Sequence, residues 1–281
     1  MISLIQRRYP DDLAEIQARH GYEEETPGIR RIEASRPLRW LGAGWHDLRQ
    51  APAGLLHGLM VAAIGVVIMG VVWSWPWAGV AALTGFLLVG PVLATGLNGL
   101  ARSIERGETI GLRSGFGALE GTGGAIWSFA ALLASLFLVW TAFVWLWMGV
   151  LNVGHAALLG PLHEALPVLL GSTSGMISLA GLIVAGAALA VVVLALSVVT
   201  IPAMLDRRRT GLMTAMGTSL KALQTNPAAT LIWAALITVL FAISVATALL
   251  ALIVVFPWLG YAMWHAYRDL VELPEEEAPT T

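Results

Sequence analysis

Few side chains in this sequence pair a reactive group with an apolar neighbourhood, the setting in which a polar residue calls for a functional explanation. His57 and His265 each stand in an apolar run. Two histidines at bilayer depth on different helices could hold a haem iron between them. Asn98 is the third polar residue in such a run, able to bond a solute or a neighbouring helix. His155, His163 and Glu164 share one loop, and imidazole with carboxylate makes a weak zinc ligand set. His163-Glu164 lacks the second histidine four residues away that would place two imidazoles on one helix face. The string Trp264-His265-Ala266-Tyr267-Arg268-Asp269 is compact and amphipathic. It reads as an interfacial anchor, with rings at headgroup depth and the arginine snorkelling to water. Asp206, which precedes three arginines, and the prolines Pro91, Pro202 and Pro257 complete the polar and kink positions to test.

Other chemistries are excluded by what the chain lacks. It has no cysteine, so disulfides, thiolate metal sites and a cysteine nucleophile are absent. Gly121-Thr122-Gly123-Gly124 is not followed by the Lys-Ser or Lys-Thr of a phosphate loop, and no Gly-x-Ser-x-Gly occurs. No acidic or basic residue falls in the middle of an apolar run, which counts against ion-coupled transport. A net charge of -2 argues against nucleic acid as a partner. No cofactor is expected.

The elements that must position these residues are transmembrane helices. Hydrophobic residues make up 57% of the 281 and charged residues only 12%. That is about half the charged fraction of a soluble domain, so a lipid bilayer is the main partner of the surface. Apolar runs from Leu55 to Val72, Ala78 to Ala101, Ile126 to Val150 and Met176 to Leu205 each suffice for the ~20 residues that cross a hydrocarbon core. Ala228 to Tyr267 is uncharged throughout, if His265 is neutral, and twice too long for one crossing. It reads as two helices joined near Ser244 to Thr247, although no Gly or Pro marks the turn. The expected helices are therefore about 54–73, 78–103, 125–150, 176–205, 228–246 and 248–268. Residues 1–40 form a charged, largely disordered cytoplasmic segment and 41–271 the membrane domain, followed by an acidic disordered tail at 272–281. No hydrophobic run lies in the first forty residues, which predicts no cleavable signal peptide.

Basic residues set the orientation. All sixteen lie before the first helix, in the loops after the second and fourth, or after the sixth. The segments 73–77 and 151–175 contain none. The positive-inside rule puts both termini in the cytoplasm of a bacterial cell, with the chain in its inner membrane.

The helix pairs repeat. Each even-numbered helix carries a proline, and Leu88-Val89-Gly90-Pro91 aligns with Val254-Val255-Phe256-Pro257. An arginine stands eleven residues beyond each of these two prolines, at Arg102 and Arg268, whereas the match at Pro202 is looser. A short amphipathic stretch precedes each pair: Trp45 to Pro52, Ile110 to Gly121 and Gly217 to Pro227. The expected fold is thus an all-α, polytopic bundle of six helices, built as three parallel hairpin repeats that each follow a short interfacial helix.

Several strings, taken together, resemble a known family. They are Arg39-Trp-Leu-Gly-Ala-Gly-Trp-His-Asp47, Gly85-Phe-Leu-Leu-Val-Gly-Pro91, Gly96-Leu97, Arg102-Ser-Ile-Glu105, Pro202-Ala-Met-Leu-Asp-Arg207, Asn226-Pro227 and Trp264-His-Ala-Tyr-Arg-Asp-Leu270. From about Ile29 to Val271 the set resembles the bacterial integral membrane proteins grouped as domain of unknown function 2189. The resemblance implies no established activity. Members are sometimes labelled as similar to cytochrome c oxidase subunit I, yet this chain is about half the length needed and lacks the spaced histidine ligands. In the family pattern a histidine often stands where this chain has Tyr261, so a two-histidine site is incomplete here.

Three functions follow. The favoured one is a non-catalytic accessory or organising subunit that works with other inner-membrane proteins, near respiratory complexes. The alternative is a small-solute transporter or channel built from three two-helix repeats. The second alternative, a haem or quinone oxidoreductase subunit using His57 and His265, has the least behind it.

Overall fold

A computed structural model describes residues 27–108, 124–151, 160–207 and 210–272. Apart from one isolated β-bridge, the described residues form helices and turns. In chain order the helices are α1 (Arg36–Gln50), α2 (Gly54–Ser74), α3 (Pro76–Leu93), α4 (Thr95–Glu105), α5 (Gly124–Leu151), α6 (Leu162–Gly171), α7 (Thr173–Ser197), α8 (Thr200–Asp206), α9 (Leu212–Thr225), α10 (Pro227–Ala246) and α11 (Leu252–Leu270). Among the described residues four segments are long and apolar enough to cross a membrane: Gly54–Ser74, Gly124–Val150, Thr173–Asp206 and Pro227–Ala246. The all-helical class expected from the sequence is what the chain adopts.

The outer faces of these helices are apolar. Val67, Leu138, Val139, Leu146, Val184 and Leu231 are all exposed, as side chains are when lipid rather than water is the solvent. On α5 the exposed tryptophans Trp127 and Trp145 stand eighteen residues apart. At 1.5 Å per residue that is about 27 Å, close to the thickness of a hydrocarbon core flanked by aromatic belts.

Helix starts and stops have local causes. Prolines at Pro37, Pro76 and Pro227 occupy first-turn positions, where their missing N–H costs nothing. Ser172 caps α7 by accepting the Gly175 N–H at 3.0 Å. The turn between α10 and α11 uses no glycine. Ala248 and Leu249 take positive φ of 51° and 67°, at about 1 kcal/mol or more each. Offsetting bonds run from the Leu249 N–H to the Ser244 carbonyl (2.6 Å) and from the Ala251 N–H to the Thr247 hydroxyl (3.1 Å). Leu249 itself is fully buried against Gly65.

Two of the expected helices are interrupted. The run expected at 78–103 breaks at Ala94 and the one at 176–205 breaks at Val198–Val199. Pro91 lies three residues before the first break. Pro202, by contrast, is the third residue of the short helix after the second, so it is not the counterpart of Pro91 that the sequence suggests. Pro257 interrupts nothing: α11 runs unbroken through it.

Residues 27–40, expected within a disordered segment, are ordered. Ile29 pairs with Val271 in an antiparallel bridge, with Arg30 N–H to Leu270 O and Glu272 N–H to Gly28 O both at 2.9 Å. Asn226, buried at the start of α10, clamps this strap by accepting the Ile32 N–H and donating to the Arg30 carbonyl, each at 2.9 Å. Replacing Asn226 with alanine orphans both groups and should cost about 2 kcal/mol. Hydrogen exchange is then expected to speed up at Ile32 and leave the α5 amides unchanged. Residues 109–123, which include the middle interfacial stretch, lie outside the described residues.

Helix α11 is the most enclosed long helix. Gly44 of α1 meets the Ala262 backbone, and Gly54 and Gly58 of α2 meet Tyr261 and Ile253. Gly260 of α11 receives Leu97 of α4. A β-carbon at any of these glycines would fall within 2.1 to 2.6 Å of a neighbouring atom. The small residues thus let three backbones close on one helix.

Candidate functional site

The last two turns of α11 carry the string Trp264 to Asp269, and at 100° per residue they present it in three sectors. Trp264 and Arg268 face α4, His265 and Asp269 face α1, and Tyr267 faces α8. Each sector finds a carboxylate or a donor waiting for it.

Toward α4, Glu105 accepts the Trp264 indole N–H at 2.6 Å and pairs with Arg268 at 2.6 Å. Toward α8, Asp206 accepts the Tyr267 hydroxyl at 2.9 Å, and Arg106 and Arg268 approach it at 3.5 and 3.6 Å. Arg102 ties the two short helices directly, donating to the Leu205 carbonyl at 3.1 Å. Toward α1, His265 Nε2 lies 2.7 Å from the Asp47 carboxylate. Asp269 holds the Arg36 guanidinium and accepts the Trp40 indole N–H at 2.8 Å. Tyr261, one turn earlier, donates to the Ala51 carbonyl at 2.8 Å.

The hub is largely dry. Trp264, Tyr267, Tyr261, Leu97, Leu100, Ile201 and Met204 are fully buried, and Asp47 and Asp206 are nearly so. A carboxylate in such a place is tolerable only when paired and hydrogen-bonded, and Asp206 with three donors meets that condition. The rings of this string do not face outward as an interfacial anchor's would. They turn inward because their N–H and O–H groups find carboxylates inside the bundle, not headgroups outside it.

The remaining sequence candidates fall elsewhere. His57 is buried on α2 beside the Pro257–Tyr261 stretch. By helix rise it lies about 10 Å along the bundle from His265. With His265 held by Asp47, the two histidines are not brought to one ligand. His163 and Glu164 are exposed at the start of α6, 3.8 Å apart, and His155 lies outside the described residues. Among the described residues no three metal-ligating side chains gather. Asn98 is wholly buried in α4. Its amide N–H bonds the Ala94 carbonyl at 2.9 Å, and its carbonyl oxygen has no partner among the described residues.

Asp47, Glu105 and Asp269 are functional positions that spacing and residue type in the sequence do not single out. The usable signal was there: the strings that carried the family resemblance contain the hub's donors and acceptors, and they meet at one place. No curated protein and no solved structure matches the chain. The family model described as "Predicted integral membrane protein (DUF2189)" matches residues 79–206, which run from α3 to α8 and include Glu105 and Asp206. That match and the four apolar helices together mark the chain as an integral membrane protein whose residues 79–206 match the DUF2189 family model.

Proposed function

We propose that the protein is a non-catalytic organising subunit of the bacterial inner membrane, with both termini in the cytoplasm. Six spans would arise as three parallel hairpins: α2 with α3–α4, α5 with α7–α8, and α10 with α11. Two of these follow a described short helix, α1 and α9. The membrane domain would span 41–271, between the charged N-terminal segment and the acidic tail. One observation carries the functional reading: the side chains of the hub bond to one another across α1, α4, α8 and α11. Such an arrangement fixes a shape. The lipid-facing surface of α5, α7 and α10 is then what remains to meet partners, with respiratory complexes the first to examine.

Extraction in a mild detergent, followed by native electrophoresis and mass spectrometry of the band, tests this. The protein is expected in an assembly with other inner-membrane proteins. Migration alone, after in-cell crosslinking has also failed to capture a neighbour, would overturn the proposal. A second reading, a small-solute transporter or channel, is favoured by the two helix interruptions at Ala94 and Val198–Val199, which lie at the same end of the bundle. Uptake or conductance in vesicles of the purified protein would select it.

A further inference from the structure

We propose that α4 and α8 are hinged flaps that α11 clasps shut, and that release of the Glu105 and Asp206 bonds opens the end of the bundle onto Asn98. The inference goes beyond both functional readings and depends on neither.

Three observations carry it. First, each flap begins at a break in its helix, and each break has a proline close by: Pro91 before Ala94, and Pro202 after Val199. Pro91 withholds a main-chain donor from the Leu87 carbonyl and Pro202 withholds one from the Val198 carbonyl, so each flap joins its parent helix within about two turns of a missing helical bond. Thr95 and Thr200, the first residues of the two flaps, bond back with their hydroxyls to the Val92 and Leu196 carbonyls, which gives both hinges the same construction. Second, the corresponding proline of α11 makes no hinge. The Ile253 carbonyl, left without its usual donor by Pro257, lies against Gly58 of α2, closer than a β-carbon would allow. So α11 is the fixed post, and the other two segments are the ones with freedom to turn.

Third, the flaps are held at their far ends by charge. Glu105 ends α4 and Asp206 ends α8, and Arg268 reaches both, at 2.6 and 3.6 Å. Trp264 and Tyr267 add one donor to each. Glu105 and Arg268 are more than one-third exposed, within reach of salt and of competing ions. The buried face of the α4 flap carries Leu97, Leu100 and the carbonyl oxygen of Asn98, which has no partner among the described residues in the closed arrangement. A buried acceptor without a donor raises the energy of the closed state and favours opening.

The natural absence of cysteine makes the test direct. Asn98→Cys and Leu100→Cys report on α4, and Leu48→Cys, buried on α1 at the same end, reports on general loosening. Each is labelled in purified protein with a membrane-impermeant maleimide, alone and combined with Glu105→Gln and Asp206→Asn. Labelling at 98 and 100 is expected to be slow in the closed protein and about tenfold faster with the clasp removed, while 48 stays protected. Raising the salt concentration should speed 98 and 100 without any clasp substitution, which covers the case in which the combined variant fails to fold. The proposal is overturned if both sites stay protected in the combined variant and at high salt, or if 48 becomes reactive in step with them.

Discussion

Replacing Gly58 with valine should remove most of the folded protein from a detergent extract. The first atom added at that position would fall 2.1 Å from the Ile253 carbonyl oxygen and 2.7 Å from its carbon. Both belong to backbone, so no rotamer change relieves the clash, and α2 must back away from α11 along its whole length. Gly54 and Gly65 lie on the same seam, and their contacts with Tyr261 and Leu249 would open with it. Overpacking of this kind costs about 3 kcal/mol, and the separation also exposes an Ile253 carbonyl that Pro257 has already deprived of its partner. Gly70 provides the control on the same helix, because a methyl group there meets no atom within 4 Å. Thermal unfolding followed by fluorescence-detected size exclusion should show Gly70→Ala melting with the parent. Gly58→Val is expected to melt far lower or to aggregate. Equal behaviour of the two variants would mean that α2 and α11 do not pack as described.

Trp264→Ala is the second large effect. The indole is fully buried and donates to Glu105, so the substitution leaves a cavity and takes a donor from a carboxylate that then relies on Arg268 alone. Truncation of a buried tryptophan costs about 3 to 5 kcal/mol. Trp264→Phe is the intermediate case. It keeps an aromatic ring in the site but removes the N–H and part of the indole's volume, at about 2 kcal/mol for the bond to a charged group plus a smaller cost for the space left behind. The expected order of melting is parent, then phenylalanine, then alanine. A phenylalanine variant as stable as the parent would show that the indole serves by volume only.

Hydropathy and length made the helical segments legible, because a run of some twenty apolar residues has few other fates. Within those runs the sequence is nearly silent. The interruption at Ala94 lies in Pro91-Val-Leu-Ala94-Thr-Gly, where nothing marks the break beyond the proline. At Val198–Val199 the residues are β-branched and apolar, and the proline comes afterwards. Pro202 matches Pro91 in residue type but only loosely in setting, and the break falls on opposite sides of the two prolines. The hub failed to stand out for a different reason. Asp47, Glu105, Asp206 and Asp269 sit beside helix ends, where a charge usually means solvent. Only the crossing of α11 with α1 and α8 turns Asp47, Asp206 and Asp269 inward, while Glu105 stays more than one-third exposed at the end of α4. Trp264 illustrates the same limit. Aromatic residues near a span's end usually mark the interface, and this one marks the centre of the bundle. Asn98 could be read as intramembrane from its neighbours alone, and it is indeed fully buried.

The enclosure of α11 has a consequence for how the protein is made. Gly44, Gly54 and Gly58 and the short helix α4 all dock on a helix that leaves the ribosome after them, with about two hundred residues separating Gly58 from Ile253. Until α11 arrives, α1 and α2 have a groove and no occupant, and Glu105 and Asp206 are carboxylates without their main donors. The seam between α2 and α11 therefore cannot close until residues 252–270 have been synthesised. A nascent chain that stops short of Trp264 would present the cell with inserted helices and an unfilled groove, the kind of surface that membrane quality control removes. Closure of the α2–α11 seam is thus a late event in the synthesis of the described residues.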